Sequence, residues 1–239
     1  MISQPLLSMI SAALFFILLT LAVYHAYAKL QQKLKKAWLN PMLLSILTLI
    51  PFLLIFNIPF EQYYQATASL NKLLEPAVVA LGFPLYQHLQ TIKKQWRHIM
   101  VLLLVGVFIA ISISFIITLL TINQYDIAVS LSLKSVTTPI GIALTEQLNG
   151  SNSITAFAII LAGLFGALLG PPWLSLIKVT SPKAQGLAIG AASHALGTAT
   201  ISKVSYEHAA YSSLALIISA VITAIFSPMI INTLVLFLR

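Results

Sequence analysis

The sequence predicts an all-α polytopic membrane protein with about six to eight membrane segments, some of them broken or re-entrant helices. Of its 239 residues, 59% are hydrophobic and only 8% are charged, whereas a soluble domain carries about 25% charged residues. So few charges could not cover a soluble globule, which excludes a soluble enzyme domain, a disordered chain and a coiled coil. The apolar residues also fall into runs of membrane-spanning length, each of which needs roughly 20 residues.

Two apolar runs open the chain, at 6–27 and 42–58. We interpret the first as a retained helix, because the bulky sequence His25-Ala26-Tyr27 is unlike the small-residue cleavage site of a signal peptide. A polar stretch that contains Glu61 follows. We therefore expect a peripheral amino-terminal region, 1–72, and a transport-type core, 73–239.

Within this core, proline, glycine or charged residues interrupt three apolar segments, 73–89, 127–148 and 184–200. A broken helix is tolerated at membrane depth only where it is buried in protein or lines a watery cavity. The first two segments also align weakly, with Gly82 facing Gly141, which indicates an internal repeat. Paired broken helices are typical of a transporter binding site.

Basic clusters at 29–36, 93–97 and 178–183 set the predicted orientation. Cytoplasmic loops carry an excess of Lys and Arg, so these clusters should be cytoplasmic and the amino terminus external. With this orientation, segment 127–148 can be placed in the membrane in two ways. A re-entrant helix–break–helix keeps Lys178 inside and is favoured, whereas a full crossing would put Lys178 outside.

Lys134 is the most informative polar residue, since a lysine at membrane depth costs several kcal/mol unless it is paired or reaches water. Pro139 follows it closely, and a helix that starts after the break would point free N–H groups at an anion. This arrangement suits a small carboxylate, although the lysine could instead extend to the membrane interface. Glu75 and Glu207 are candidate charge partners, and each could equally stand at an interface or a helix start.

His194 lies in a stretch rich in small residues. Gly186, Gly190, His194 and Thr198 are spaced by four and would share one face of a continuous helix. We therefore expect a close neighbour at His194, namely the broken stretch 135–141. A proton-linked role and a structural hydrogen bond both remain open.

An enzyme is not expected, because Ser193 and His194 would point about 100° apart on a helix and no known catalytic motif is present. The chain has no cysteine, and we expect no cofactor and no metal site. Basic loops with Trp38 and Trp96 are typical of membrane-interface anchors, so nucleic acid is not an expected partner.

Three stretches, LLEPAVVALGFPLYQ, LKSVTTPIGIA and GLAIGAASHALGTA, are similar to signature stretches of the LrgB/CidB family. The resemblance runs from about Leu73 to Pro228. It departs at Leu133, where relatives often carry proline, and at Thr200, where they often carry arginine, which puts the substrate in doubt. The resemblance implies substrate-binding roles for Lys134, Ser135, Thr137, Thr138, Pro139, Ser193, His194, Gly197 and Thr198.

The resemblance implies two functions of different classes. A plastid relative translocates glycolate and glycerate, and some bacterial members are linked to pyruvate. The leading hypothesis is therefore a small-monocarboxylate transporter, with proton coupling left open. Bacterial members are also described as holin- or antiholin-like regulators of murein hydrolase export and autolysis, which is the alternative. Expected partners are a small carboxylate, membrane lipid, a small LrgA/CidA-like membrane protein and further copies of the chain. The expected location is the bacterial cytoplasmic (inner) membrane.

Overall fold

The computed structural model describes residues 4–34, 39–73, 76, 79–80 and 82–238. Every regular element in these ranges is an α-helix. Four helices are long and apolar enough to cross a membrane, namely Ile10–Leu34, Leu89–Ile122, Asn152–Leu176 and Tyr206–Phe237. The predicted all-α polytopic membrane fold is thus confirmed. Contacts divide the chain into two units, Met1–Val79 and Ala80–Arg239.

Among the residues that the structure describes, the amino-terminal unit contains the helices α1 (Gln4–Leu34), α2 (Pro41–Ile55), α3 (Phe60–Ala66) and α4 (Ala68–Lys72). Asn40 fixes the start of α2, because its side-chain oxygen accepts hydrogen bonds from two backbone N–H groups of the first turn. Tyr63 joins α3 to α1 through a hydrogen bond of 2.8 Å to Thr20. Little of α1 is buried within the unit, as expected for a helix that faces lipid.

The carboxy-terminal unit contains seven described helices. They are α5 (Gly82–Gln87), α6 (Leu89–Ile122), α7 (Tyr125–Ser132), α8 (Thr138–Gln147), α9 (Asn152–Leu176), α10 (Pro182–Ile201) and α11 (Tyr206–Leu238). An apolar cluster that includes Phe115, Leu133 and Ile231 lies at its core. Two short interrupted pieces, α7–α8 and α10, alternate with the three long helices.

The helices α7 and α8 form a first hairpin, 125–147. They contain 8 and 10 residues, so each is about 12–15 Å long, half of a hydrocarbon core of about 30 Å. Ser151, at the start of α9, donates its backbone N–H to Ser130 Oγ of α7 at 2.8 Å. If α8 continued in the same direction as α7, its 10 residues would carry Ser151 about 15 Å away from Ser130. The first hairpin therefore enters and leaves at the same end, which is the re-entrant solution.

The helix α10 is a second hairpin, 182–201, that turns at His194. The backbone angles of His194, φ 42° and ψ −139°, are not helical. In a straight helix, residues 189 and 197 would be separated by about 12 Å along the axis. Here a Cβ on Gly197 would lie only 2.8 Å from the Ile189 side chain, so the chain folds back on itself. At the open end, His208 of α11 hydrogen-bonds Gln185 at 2.9 Å. The chain therefore enters and leaves at one end here as well.

The two hairpins enter from opposite ends of the unit. Helix α6 runs from one end to the other, the first hairpin returns the chain to that other end, and α9 runs back. The second hairpin therefore begins at the end of the unit where α6 begins. Helix α11 also starts at that end, since His208 near its start contacts Gln185 near the start of the hairpin. A long helix followed by a hairpin therefore occurs twice, with opposite direction. The repeat expected from the sequence paired 73–89 with 127–148 instead, and several residues of 73–89 lie outside the described residues.

Candidate functional site

Lys134 lies in the turn of the first hairpin and is half-buried. Its ammonium donates to Ser114 Oγ of α6 at 2.7 Å and to the Leu131 carbonyl at 3.2 Å. Leu131 belongs to the last turn of α7, where the helix dipole favours a cation. The Ser114 hydroxyl also donates to this carbonyl at 3.0 Å, so the three groups form a closed polar cluster. Lys134 thus holds the first hairpin on α6 in addition to any role toward a ligand.

The predicted residues that follow Lys134 lead into α8. Thr137 precedes this helix in extended conformation, with no hydrogen bond from its side chain to the helix start. Thr138 is the first helical residue, and Pro139 fits the first turn, where no N–H is needed. The Thr137 side chain therefore leaves the N–H groups at the start of α8 uncapped, and such groups favour an anion.

His194 is buried at the tip of the second hairpin, and its Nε2 lies 2.8 Å from the carbonyl of Ile159 in α9. Because a carbonyl can only accept, Nε2 carries the proton. The expected neighbour, 135–141, is wrong: the partner is α9. The prediction that His194 shares one helical face with Gly186 and Gly190 is also wrong. The two glycines face α11, whereas the chain reversal at His194 turns its imidazole onto Gly163 of α9.

The other predicted residues of the second hairpin are all buried. Ser193 faces Gly166 so closely that a methyl group there would overlap its hydroxyl, and this Ser193 hydroxyl has no hydrogen-bond partner. Gly197 admits the first arm of the hairpin against the second. Thr198 makes a long hydrogen bond of 3.5 Å to the Ser212 carbonyl of α11.

The two hairpin tips meet on α9. The Thr145 hydroxyl of the first hairpin hydrogen-bonds the Thr155 hydroxyl at 2.7 Å, and Gly141 lies against Ile159. The second hairpin covers α9 from its other end and reaches the same Ile159 through its carbonyl. Contacts along α9 run in order from Thr145 at Thr155, through Gly141 and His194 at Ile159, His194 and Leu196 at Gly163, and Ser193 at Gly166, to Ile189 at Gly170.

The predicted site residues therefore form two groups, one in each hairpin, rather than one cluster. The group at Lys134 is tied to α6, and the group at His194 is packed on α9. Ser135 lines a cavity of about 400 Å³ whose other walls come mainly from α6 and α10. Glu207 lies in the first turn of α11, and Glu75 lies outside the described residues.

Three contributors to the site were not singled out from the sequence. Ser114 carried a detectable signal, since it is a polar residue inside the apolar run of α6. Ile159 contributes a backbone carbonyl, and no side chain marks such a group. Gly163 makes room for the imidazole, and its role depends on a contact between segments about 30 residues apart.

Comparison with known proteins identifies the family. Residues 20–233 match the LrgB-like family. The holin-like protein CidB of Staphylococcus aureus (strain Mu50) is 36% identical over 223 residues, which cover 92% of this chain and 96% of CidB. The holin-like protein CidB of Staphylococcus epidermidis (strain RP62A) is 36% identical over 221 residues, 92% of this chain and 96% of that protein. The uncharacterized protein YxaC of Bacillus subtilis is 33% identical over 219 residues, 92% of this chain and 95% of YxaC. No solved structure matches. The chain belongs to the LrgB-like family.

Proposed function

We propose that this protein is a holin-like membrane protein that regulates murein hydrolase export and autolysis. One observation carries the proposal: the identity to holin-like CidB covers 92% of this chain and 96% of the relative. The family match, residues 20–233, includes both hairpins. Function in this class requires a protein that changes the permeability of the membrane in which it lies.

The two opposed hairpins offer a physical route to such a change. Each arm covers about half the hydrocarbon core, and both hairpins contact Ile159 of α9. Hairpin ends expose backbone groups that need polar partners in a medium without water. Separation of the tips would draw water to these groups and open a path. In this proposal the resting structure is the closed form.

The proposal includes a location and partners. We place the protein in the bacterial cytoplasmic membrane with its amino terminus outside. The exposed basic residues at 93–97 and 178 support this orientation, because cytoplasmic loops carry an excess of Lys and Arg. It acts with a small LrgA/CidA-like membrane protein and with further copies of itself.

Controlled expression in bacterial cells tests this function. We expect induction to lower the membrane potential and to speed lysis by an added murein hydrolase, relative to cells that express α1–α4 alone at equal membrane level. The chain lacks cysteine, so Thr145→Cys with Thr155→Cys can lock the first hairpin onto α9 under oxidation. Oxidation should suppress both effects and reduction should restore them. Unchanged potential and lysis on induction of the native chain would overturn the proposal.

Translocation of a small monocarboxylate is the second candidate. The observation that favours it is the meeting of two interrupted segments from opposite ends, beside the buried Ser193 hydroxyl that has no partner. In this function Lys134, Thr137 and Thr138 contact the carboxylate, and the separate group at His194 and Thr198 links uptake to protons. Saturable uptake of labelled pyruvate or glycolate into proteoliposomes, lost in Lys134→Ala, supports the carrier. Leakage that does not saturate and does not distinguish solutes supports the holin-like protein.

A further inference from the structure

We propose that Thr223 of α11 contacts a small carboxylate, which binds between α11 and the turn of the first hairpin, beside Ser135 and Lys134. The inference deepens the second candidate function, on which it rests. It adds a binding residue from α11, a helix that contributes none of the predicted substrate-binding residues. Three observations carry it: the free hydroxyl of Thr223, the position of this residue along α11 and the charge beside it.

The Thr223 hydroxyl makes no hydrogen bond within the described part of the chain, although Thr223 is only 4% exposed. Two other buried hydroxyls of α11 bond to their own helix. Ser213 donates to the Ala209 carbonyl at 2.7 Å, and Ser219 donates to the Ala215 carbonyl at 2.5 Å. This bond to the preceding turn is the usual one for a serine or threonine inside a helix. Because Thr223 does not make it, its hydroxyl is available to a ligand.

The position of Thr223 along α11 puts it beyond the second hairpin. Gly186 lies against His208 and Gly190 against Ser212, so the first arm of this hairpin and α11 run in the same direction. The hairpin tip is four residues, about 6 Å, past Gly190. Thr223 follows Ser212 by 11 residues, about 16 Å along the helix, and therefore lies about 10 Å beyond that tip.

The first hairpin is the element that Thr223 meets there, since both line one cavity. Ser132, Ser135 and Thr223 provide the hydroxyl groups of this cavity, and its other described lining residues are aliphatic or glycine. Ser132 donates to the Val129 carbonyl, whereas Ser135, like Thr223, has no hydrogen-bond partner among the described residues. The two free hydroxyls come from separate elements, the hairpin turn and α11. They can therefore bind one ligand that lies between them.

The charge beside these hydroxyls selects an anion. Lys134 precedes Ser135, and two of its three ammonium N–H groups are used in hydrogen bonds within the protein. The start of α8 adds uncapped backbone N–H groups at the same turn. The acidic residues of the hairpin, Asp126 and Glu146, lie in the first turn of α7 and the last turn of α8, at the other end of each arm. A small carboxylate complements this charge and accepts hydrogen bonds from both hydroxyls.

Binding to the full chain in detergent tests the proposal, with pyruvate and glycolate as probes and their amides as uncharged controls. We expect the carboxylates to bind, measured by calorimetry, and the amides not to bind. Thr223→Val keeps the shape of the side chain and removes the hydroxyl. The affinity should therefore fall about ten-fold, as for the loss of one hydrogen bond to a charged group. Without ligand, this variant should melt no lower than the native chain, because no hydrogen bond within the protein is lost.

Three further variants identify the hydroxyl as the cause. Thr223→Ser keeps the hydroxyl and should retain most of the affinity. Ser135→Ala should weaken carboxylate binding about as much as Thr223→Val does. Ser219→Ala is the matched control one turn earlier on α11, because its hydroxyl already donates to its own helix, and it should bind carboxylates as the native chain does.

Four results would overturn the role of Thr223. They are absence of carboxylate binding to the native chain, equal binding of the amides, native affinity in Thr223→Val, and a lowered melting temperature of ligand-free Thr223→Val. The third would mean that the hydroxyl binds only water, and the fourth that it has a structural partner. Failure of the carrier function gives a different pattern. In that case the carboxylates bind the native chain through Thr223, and no saturable uptake follows.

Discussion

The first hairpin turns through five residues, 133–137, and polar bonds hold it in place. Its Lys134 ammonium ties the turn to Ser114 of α6, and its Thr145 hydroxyl ties the second arm to α9. The second hairpin turns at the single residue His194 and is held mainly by close packing against glycines. One imidazole hydrogen bond joins its tip to α9.

This difference shows two ways to keep an interrupted helix inside a membrane. Lipid provides little hydrophobic drive for helices to associate, so stability comes from packing and from hydrogen bonds. The first hairpin uses hydrogen bonds, which a longer turn can arrange. The second uses shape, which allows a very short turn but leaves Ser193 without a partner. Substitutions should therefore affect the two hairpins in different ways.

The largest effect is expected for Gly190→Ala. A methyl group there would overlap the backbone of Ser212 in α11, and backbone cannot move aside as a flexible side chain can. We expect a loss of about 3 kcal/mol or more, at the upper end for overpacking, seen as aggregation or a lowered melting temperature in detergent. Gly106→Ala is the control and should be neutral or slightly stabilising, because its Cβ lies in open space. Equal melting of the two variants would refute shape-based packing of the second hairpin.

Variants at His194 test whether its positive φ requires a special residue. His194→Ala loses the hydrogen bond to Ile159 and also keeps a side chain at φ 42°. His194→Gly loses the same bond but relieves the backbone, so it should be more stable than the alanine variant by about 1 kcal/mol. Thermal unfolding in detergent measures the difference, and an alanine variant as stable as glycine would contradict the reversal at this residue.

The pH dependence of any uptake separates two roles of the same imidazole. His194→Gln keeps a hydrogen-bond donor toward Ile159 but does not titrate. If His194 carries protons during transport, the glutamine variant should lose the pH dependence of uptake while it remains folded. An unchanged pH profile assigns His194 to structure.

Lys134 should contribute moderately to the stability of the first hairpin. Lys134→Ala removes both hydrogen bonds from the ammonium, which should cost about 1–3 kcal/mol. Ser114→Ala should cost less, and the double variant should cost less than the sum of the two single variants. Strict additivity, measured by unfolding in detergent, would show that the two residues do not interact.

The smallest effect on stability is expected for Ser193→Ala. The hydroxyl is buried without a partner, so its removal should leave the melting temperature unchanged or slightly higher. A large loss of uptake or of permeability with unchanged melting would assign the hydroxyl to a ligand. A large drop in melting temperature would mean that the hydroxyl has a structural partner.

The two breaks differ in how far the sequence predicts them. Lys134, Pro139 and Gly141 signal the first break locally, since they interrupt an apolar segment. The sequence predicts an interruption within 184–200 but not its position, because the turn itself has no glycine or proline and the spacing of Gly186, Gly190 and His194 fits a continuous helix. The reversal at His194 depends instead on packing against Gly163 and Gly166 of α9. Such a contact joins distant segments, and helical periodicity cannot show it.

The direction of each hairpin tests the account most directly. Cysteine substitutions at Gln124, Gln147, Thr180 and Lys203 can be labelled singly in intact cells and in inverted vesicles, because the chain has no cysteine of its own and all four positions are exposed. We predict that 124 and 147, which flank the first hairpin, label from one side. Positions 180 and 203, which flank the second hairpin, should label from the opposite, cytoplasmic side. If 147 labels from the side opposite to 124, or 203 from the side opposite to 180, that hairpin crosses the membrane and the two tips do not meet on α9.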